Sequence, residues 1–295
     1  MRALVLGGLG MLGHKTAQKF QMHCETWATV RSSEDVSLAG EHLAAVRIYP
    51  GVDASNFDSI RSAINEIQPT VIVNCIGIIK QDALAYDPTA SIEINALLPH
   101  RIASLSKAIG SKFIHVSTDC VFDGGKGSYL ESDVPNASDL YGRTKFLGEV
   151  NSESGLTLRT SIIGPEIRSS RSLLDWFLTQ AGTTNGYTKA VFSGLTTLEL
   201  SRVIYRCATE WNHLSGLYQV SADPINKFDL LSLVKARYGL DIEIQAKDEP
   251  VIDRSLDSTR FREATGYQPP SWNEMVSELA ALPHQRNGGS YVSAR

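Results

Sequence analysis

Cysteine is scarce in this chain. Its four residues, Cys24, Cys75, Cys120 and Cys207, stand far apart, with no C-x-x-C pair and no histidine at metal-ligand spacing. A disulfide framework and a zinc site are both excluded by that scatter, and no metal is expected. Basic residues are not in excess either. The formal net charge of -4 provides no broad positive field for nucleic acid or an anionic membrane surface. Long hydrophobic runs are also missing: none approaches membrane-spanning length, and Gly7, Gly8 and Gly10 interrupt the apolar start at 3–6 before it could serve as a secretory h-region. The expected setting is a reducing cytoplasm, with a small molecule as partner rather than nucleic acid or membrane.

What is present is a globular balance, 42% apolar and 20% charged residues in 295. That length reaches the range of about 250–300 residues at which one core stops growing, so a large domain with a smaller companion is expected. Short apolar bursts at 3–6, 26–30, 45–49, 71–75, 112–117 and 156–159 read as strands. Between them, helix-period stretches run at 11–20, 57–67, 92–108 and 140–150, and Pro69, Pro88 and Pro99 punctuate this half. Strand and helix in alternation predict an α/β fold with a doubly wound parallel sheet. A loop rich in Gly, Ser, Asp and Pro at 123–139 is placed over the carboxyl edge of that sheet. After Gly164-Pro165 the character changes. Helices at 173–181, 198–211, 228–238 and 272–282 dominate there, with short strands near 191–193, 217–220 and 242–245. The division expected is 1–164 for dinucleotide binding, 165–286 mainly for substrate with some segments free to rejoin the sheet, and 287–295 as a tail.

Gly7-Gly8-Leu9-Gly10-Met11-Leu12-Gly13 lies directly between the first strand and a helix. Glycines allow the sharp turn and the close backbone approach of a pyrophosphate, which then rests on the positive end of the helix. Gly7, Gly10, Met11, Leu12 and Gly13 are therefore cofactor-binding candidates. Where an NAD site usually carries an acidic residue after the second strand, this chain has Val30-Arg31-Ser32-Ser33. Arg31 is either a solvated loop charge or, with Ser32, a holder of the 2′-phosphate that would favour NADPH over NADH. Asp53, after the third strand, either accepts from the adenine amino group or caps a turn.

Tyr141-Gly142-Arg143-Thr144-Lys145 sets a phenol and an ammonium four residues apart on one helix face. A cation beside the phenol is expected to lower its pKa and make Tyr141 a proton donor at neutral pH. Ser117-Thr118-Asp119 ends the fifth strand at the edge where open parallel sheets bind ligands. From there the Thr118 hydroxyl could hold a substrate carbonyl oxygen. Tyr-x-x-x-Lys is common as a surface pair; its order after the glycine turn and the Thr118 strand end is what recommends a catalytic role.

These residues carry a resemblance. His115-Val116-Ser117-Thr118-Asp119, Val121-Phe122-Asp123-Gly124, Tyr129, Glu131, Pro135, Tyr141 to Lys145, Gly148-Glu149, Leu158-Arg159-Thr160-Ser161 and Leu256-Asp257-Ser258-Thr259-Arg260-Phe261 run in family order. The chain resembles the extended short-chain dehydrogenase/reductase superfamily and, within it, the dTDP-4-dehydrorhamnose reductases and their sugar-nucleotide relatives. The resemblance implies NADPH-dependent reduction of a ring ketone, C4 of a 6-deoxyhexulose on a nucleoside diphosphate. It implies catalytic Thr118, Tyr141 and Lys145, with Tyr141 and Lys145 also touching the cofactor. Asn74 and Gly77 are then assigned to the cofactor pocket, and Thr118, Asp119, Asn95, Arg254 and Arg260 to the substrate. Arg254 and Arg260 are diphosphate candidates or, equally, surface charges.

Two departures stand out. Relatives commonly carry an aromatic that packs on the sugar where this chain has Ile162, which leaves the sugar open. Cys120 stands where related dehydratases place a glutamate base, which disfavours dehydration. The alternatives are an epimerase that retains bound NAD(H) and a non-catalytic, dinucleotide-binding regulatory subunit. Relatives often pair, so a homodimer is considered while the oligomeric state stays open.

Overall fold

The computed structural model describes residues 1–153 and 155–282, and the expected tail at 287–295 lies outside the described residues. The first half runs β1 (Arg2–Leu6), α1 (Gly13–Gln21), β2 (Glu25–Thr29), α2 (Glu34–His42), β3 (Arg47–Tyr49), α3 (Phe57–Ile67), β4 (Val71–Asn74), α4 (Pro88–Ser91), α5 (Leu98–Ala108), β5 (Lys112–Thr118), α6 (Leu140–Leu147) and β6 (Leu156–Thr160). The second runs β7 (Ile162–Ile163), α7 (Leu173–Leu178), β8 (Gly182–Tyr187), β9 (Ala190–Phe192), β10 (Leu195–Thr196), α8 (Thr197–Ala208), β11 (Gly216–Gln219), β12 (Ile225–Asn226), α9 (Lys227–Tyr238), β13 (Ile242–Lys247), β14 (Ile252–Asp253), α10 (Thr259–Thr265) and α11 (Trp272–Ala280).

Seven strands form one sheet in the order β11-β6-β5-β4-β1-β2-β3, every neighbouring pair parallel. This is the doubly wound sheet that the alternation predicts. Strands β1, β4, β5 and β6 are buried on both faces along most of their length, whereas the edge strand β3 is not. Ala3, Val71, Val73 and Ile114 face a core that includes Phe20 of α1 and Val203 and Ile204 of α8, while Leu4, Leu6, Ile72 and Phe113 face Ile60 and Ile64 of α3 and Ile102 of α5. The strand expected at 217–220 is β11, which joins the edge of this sheet beside β6. Smaller sheets, β10-β7, β12-β9-β14 and β13-β8, make the mixed C-terminal region, with β12 antiparallel to β9. No helix among the described residues is long and apolar enough to cross a membrane.

In the second half the short strands β7, β8, β10, β12 and β14 and helix α10 are additions to the sequence expectation, and in the first half two differences have plain physical reasons. Helix α2 has no place in the predicted pattern because Ala39 is its only fully buried residue, so it shows almost no apolar period. The helix predicted at 92–108 starts a turn earlier: Asp87 caps α4 through the Thr89 and Ala90 N–H groups, and Pro88 fits the first turn. The helical run then widens into a π-segment (Ile92–Leu97) before α5, so Pro99 marks a change of helix type rather than an end.

One buried ion pair clamps the carboxyl ends of β5 and β6 to the end of α6. Arg159 in β6 and Glu149 just past α6 are 1% and 4% exposed, and their side chains meet at 2.9 Å (Nε to Oε1) and 2.6 Å (Nη2 to Oε2). Ser117 of β5 donates to the same Oε1 at 2.7 Å, and the Arg159 guanidinium lies over the Phe122 ring. Removing one partner of a buried pair leaves an uncompensated charge, which costs about 3–5 kcal/mol. Glu149→Gln should therefore lower the free energy of urea unfolding by about 3 kcal/mol or more, and Glu149→Leu combined with Arg159→Leu should recover much of it. Unfolding of Glu149→Gln at the wild-type urea midpoint would contradict the clamp.

Candidate active site

At the end of β1 the chain turns through Gly7, which has φ +81°. A Cβ at Gly13 would lie 2.0 Å from the Gly7 carbonyl oxygen, so α1 begins pressed against the turn as only glycine permits. No side chain caps the N terminus of α1. His14 braces the turn from below: its Nδ1 sits 2.9 Å from the Gly10 carbonyl, and burial lowers its pKa to about 4. The ring is thus neutral at pH 7 and donates from Nδ1 without adding charge. A glycine cradle against an uncapped helix start fits a dinucleotide pyrophosphate, with Gly10, Met11, Leu12 and Gly13 on its rim.

Arg31 and Ser32 follow β2 beside this turn, and their backbone N–H groups both donate to Asp35 Oδ2, at 3.2 and 3.1 Å. Arg31 is exposed. Asp53 closes a turn by accepting from the N–H and hydroxyl of Ser55, at 3.0 and 2.9 Å, and these bonds, with the Arg31 charge, hold its pKa low.

Thr118 and Tyr141 come together at the carboxyl edge of the sheet, where the Thr118 hydroxyl donates to Asp119 Oδ1 at 3.2 Å, accepts from the Cys120 N–H at 3.1 Å, and lies near enough to the phenol to act on its acidity. Three features make that meeting possible. Asp139 caps α6 by accepting from the Gly142 N–H at 2.7 Å, which sets the direction of the helix. A Cβ at Gly142 would fall 2.3 Å from the Cys120 carbonyl oxygen, so glycine lets α6 rest on the turn after β5. Lys80, from the loop after β4, pairs with Asp139 at 2.7 Å and lies 5.6 Å from the Tyr141 ring centre. Lys145 is buried one helical turn on, donating to the Val116 carbonyl at 2.9 Å.

The electrostatics correct one expectation. The phenol pKa is raised, not lowered: burial dominates, and Cys120, Asp119 and Asp139 add to it while the nearby Thr118 hydroxyl opposes. The Lys145 ammonium points to the Val116 carbonyl, and burial lowers its own pKa to about 8 against the favourable charge of Glu149. The site therefore holds a neutral phenol near a cation that is largely charged at pH 7.

The other predicted residues divide into those in the cleft and those behind it. Gly77 faces the cation, since a Cβ there would lie 3.8 Å from Lys145 Nζ. Asn74 is buried behind it, accepting from the Ile76 N–H and donating to His115 Nδ1. Asn95, expected at the substrate, is 1% exposed on the π-segment, where it accepts from the Ile78 N–H and donates to the Ile78 carbonyl, at 2.9 and 3.0 Å. It thereby shapes the loop after β4 and lies beside Gly77 and Lys145, since a Cβ at Gly77 would fall 3.3 Å from its Oδ1. Asp119 is buried, and desolvation raises its pKa against the charges of Arg254 and Lys227. Arg254 is brought to this side, donating to the Phe122 and Asp123 carbonyls. Arg260 is not: it donates to Leu217 O and stacks on Tyr218 at the β11 edge. Lys227, at the start of α9, went unpredicted because nothing local distinguishes it, yet it lies half-buried over Phe192 near Asp119. Among the described residues, no group of three or more His, Cys, Asp or Glu could hold a metal ion.

A parallel sheet with a glycine cradle and a Thr-Tyr-Lys site at its carboxyl edge defines an α/β protein of the extended short-chain dehydrogenase/reductase type. The chain belongs to the RmlD substrate binding domain family, whose model matches residues 1–173. It is 32% identical to methionine adenosyltransferase 2 subunit beta of Mus musculus over 148 residues, 50% of this chain and 41% of that protein. It is 30% identical to a dTDP-4-dehydrorhamnose reductase of Burkholderia thailandensis over 166 residues, 55% of this chain and 50% of that one. The matched region thus spans half or less of both relatives. Among solved structures, a hypothetical dTDP-4-dehydrorhamnose reductase from Sulfolobus tokodaii superposes with TM-score 0.74 at 27% identity, covering 89% of this chain and 94% of that one. A dTDP-4-dehydrorhamnose reductase from Bacillus anthracis, in complex with NADP, shares the fold with TM-score 0.75 at 20% identity, covering 94% and 98%.

Titration of the Lys145 side chain by NMR reads the site's electrostatics directly. Its midpoint should fall near 8. A midpoint at the ordinary lysine value of about 10.4 would mean that the amine is solvated and outside the buried site.

Proposed function

We propose that the protein reduces the 4-keto group of a nucleoside-diphosphate 6-deoxyhexulose with NADPH, as a step in making nucleotide sugars for cell-surface polysaccharide. The observation that carries this reading is the convergence of Thr118, at the end of β5, and Tyr141, on the helix that Gly142 lets rest on the Cys120 carbonyl, at the carboxyl edge of the sheet, with buried Lys145 facing Gly77 alongside. When bound, NADPH supplies the hydride. Thr118 holds the carbonyl oxygen, and Tyr141 gives its proton to the alkoxide that forms. The raised phenol pKa keeps that proton in place across the physiological range. Lys145, while charged, holds the nicotinamide ribose and favours the anion left on Tyr141. Arg254 and Lys227 flank Asp119 and provide positive charge for the substrate diphosphate. Burial and the neighbouring Asp119 push the Cys120 thiol up to about 12, which makes it unsuited to the proton abstraction that dehydration needs. Arg31 and Ser32 support the choice of NADPH.

The likeness to an adenosyltransferase subunit favours one second reading, a dinucleotide-binding subunit without turnover. Net consumption of NADPH separates the readings. Given a dTDP-linked 4-keto-6-deoxyhexose, the protein should oxidise NADPH stoichiometrically, whereas a subunit without turnover or an epimerase should show no net loss. Tyr141→Phe should lower kcat by about 100- to 10,000-fold with NADPH affinity nearly unchanged. Full activity in that variant would remove Tyr141 from the chemistry. The rate should also fall as pH rises through about 8, where Lys145 loses its proton. Lys145→Arg should carry that alkaline limb upward; a limb that stays in place belongs to another group.

A further inference from the structure

The segment between β7 and α7 crosses the molecule in a way that the proposed reduction does not use. It is a built turn with Glu166 as its hub: Oε2 accepts from the Ser169 hydroxyl at 2.6 Å and from the Arg171 and Ser172 N–H groups at 2.9 and 3.2 Å. Ile167 packs against the core cluster that includes Leu9 of the glycine turn and Val30 at the end of β2. Two arginines then anchor the segment on opposite sides. Arg168 forms an ion pair with Asp35, beyond β2, and Arg171 donates to the Gln81 carbonyl and the Asp82 carboxylate, beyond β4, at 3.1 and 3.4 Å. In the sheet, β2 and β4 are the two neighbours of β1. The segment is therefore a strap over the carboxyl end of β1, where the glycine turn begins.

Asp35 gives the Arg168 anchor its chemical meaning. One of its carboxylate oxygens accepts from the Arg31 and Ser32 N–H groups while the other pairs with the Arg168 guanidinium. The same donors, with the exposed Arg31 side chain, surround the place where an adenosine 2′-phosphate would sit. A phosphate brought beside Asp35 meets a like charge, and a guanidinium shared between the two anions offsets that repulsion. The half-exposed Arg168 has spare N–H groups for this bridging role.

We infer that residues 164–172 form a latch over the bound dinucleotide, and that Arg168 reaches across the sheet to serve with Arg31 as a ligand of the 2′-phosphate. Coenzyme choice is then set partly from the substrate half of the chain, and release requires both arginine anchors to let go. This deepens the reading of a dinucleotide-binding reductase and rests on it for the cofactor alone, not for the keto sugar.

The test is binding rather than turnover. NADPH and NADH are titrated by fluorescence into the wild-type protein and the Arg168→Ala, Arg168→Lys and Arg171→Ala variants, with dissociation followed by stopped flow. Arg168→Ala should weaken NADPH by about 10- to 100-fold, the range for a charged hydrogen-bonded contact, and change NADH by less than about threefold. Arg168→Lys should fall between, because an ammonium keeps the charge but not the planar fork. Arg171→Ala should speed dissociation of both dinucleotides without altering their affinity ratio. An unchanged NADPH to NADH ratio in Arg168→Ala overturns the ligand role, and unchanged dissociation rates in Arg171→Ala overturn the latch. If the wild-type protein held neither dinucleotide, this inference and the reductase reading would fall together. Tight NADPH binding without turnover on any keto sugar would remove only the reductase reading.

Discussion

The buried pair between Arg159 and Glu149 is the constraint on which the site depends. Two charges removed from water need compensation, and here the carboxylate takes two guanidinium contacts and the Ser117 hydroxyl, while the Arg159 Nη1 has no hydrogen-bond partner among the described residues. Those three bonds tie together β6, the strand end that carries Thr118, and the end of the helix that carries Tyr141 and Lys145. The same carboxylate supports the charge on Lys145. A single buried anion thus fixes the positions of the proposed acid and keeps its neighbouring cation charged.

Around that clamp, burial acts on the two functional groups in opposite senses. It disfavours the phenolate of Tyr141 and the ammonium of Lys145 alike, raising one pKa and lowering the other. The result is a proton donor that stays protonated and a cation that stays charged at neutral pH but not far above it. Lys80, held over the phenol ring by Asp139, adds positive charge beside the phenol.

Much of this was legible in the sequence because the signals are local. A strand followed at once by glycines, a Ser-Thr-Asp strand end and a Tyr-x-x-x-Lys spacing each announce their geometry within a few residues, and the sheet follows from the alternation of periods. What was not legible depends on long-range contacts. Glu149 and Arg159 stand in recognisable motifs, but only the fold brings them together. Lys80, Lys227 and Arg168 sit in stretches without a chemical signature and reach the cleft across other elements. Arg260 illustrates the converse: it falls in a suggestive position along the chain but lies on the β11 edge. The expected effect of Lys145 on Tyr141 failed for a related reason, since helical spacing puts two residues on one face but does not say which acceptor the ammonium will choose.

The central claim is that the Thr118 and Tyr141 hydroxyls receive a ketone whose carbon takes hydride. Reduction with NADPH deuterated at C4 of the nicotinamide, followed by mass spectrometry and NMR of the product, tests this most directly. The account predicts a product with one carbon-bound deuterium at sugar C4. A product without deuterium, or deuterium at another carbon, would contradict it.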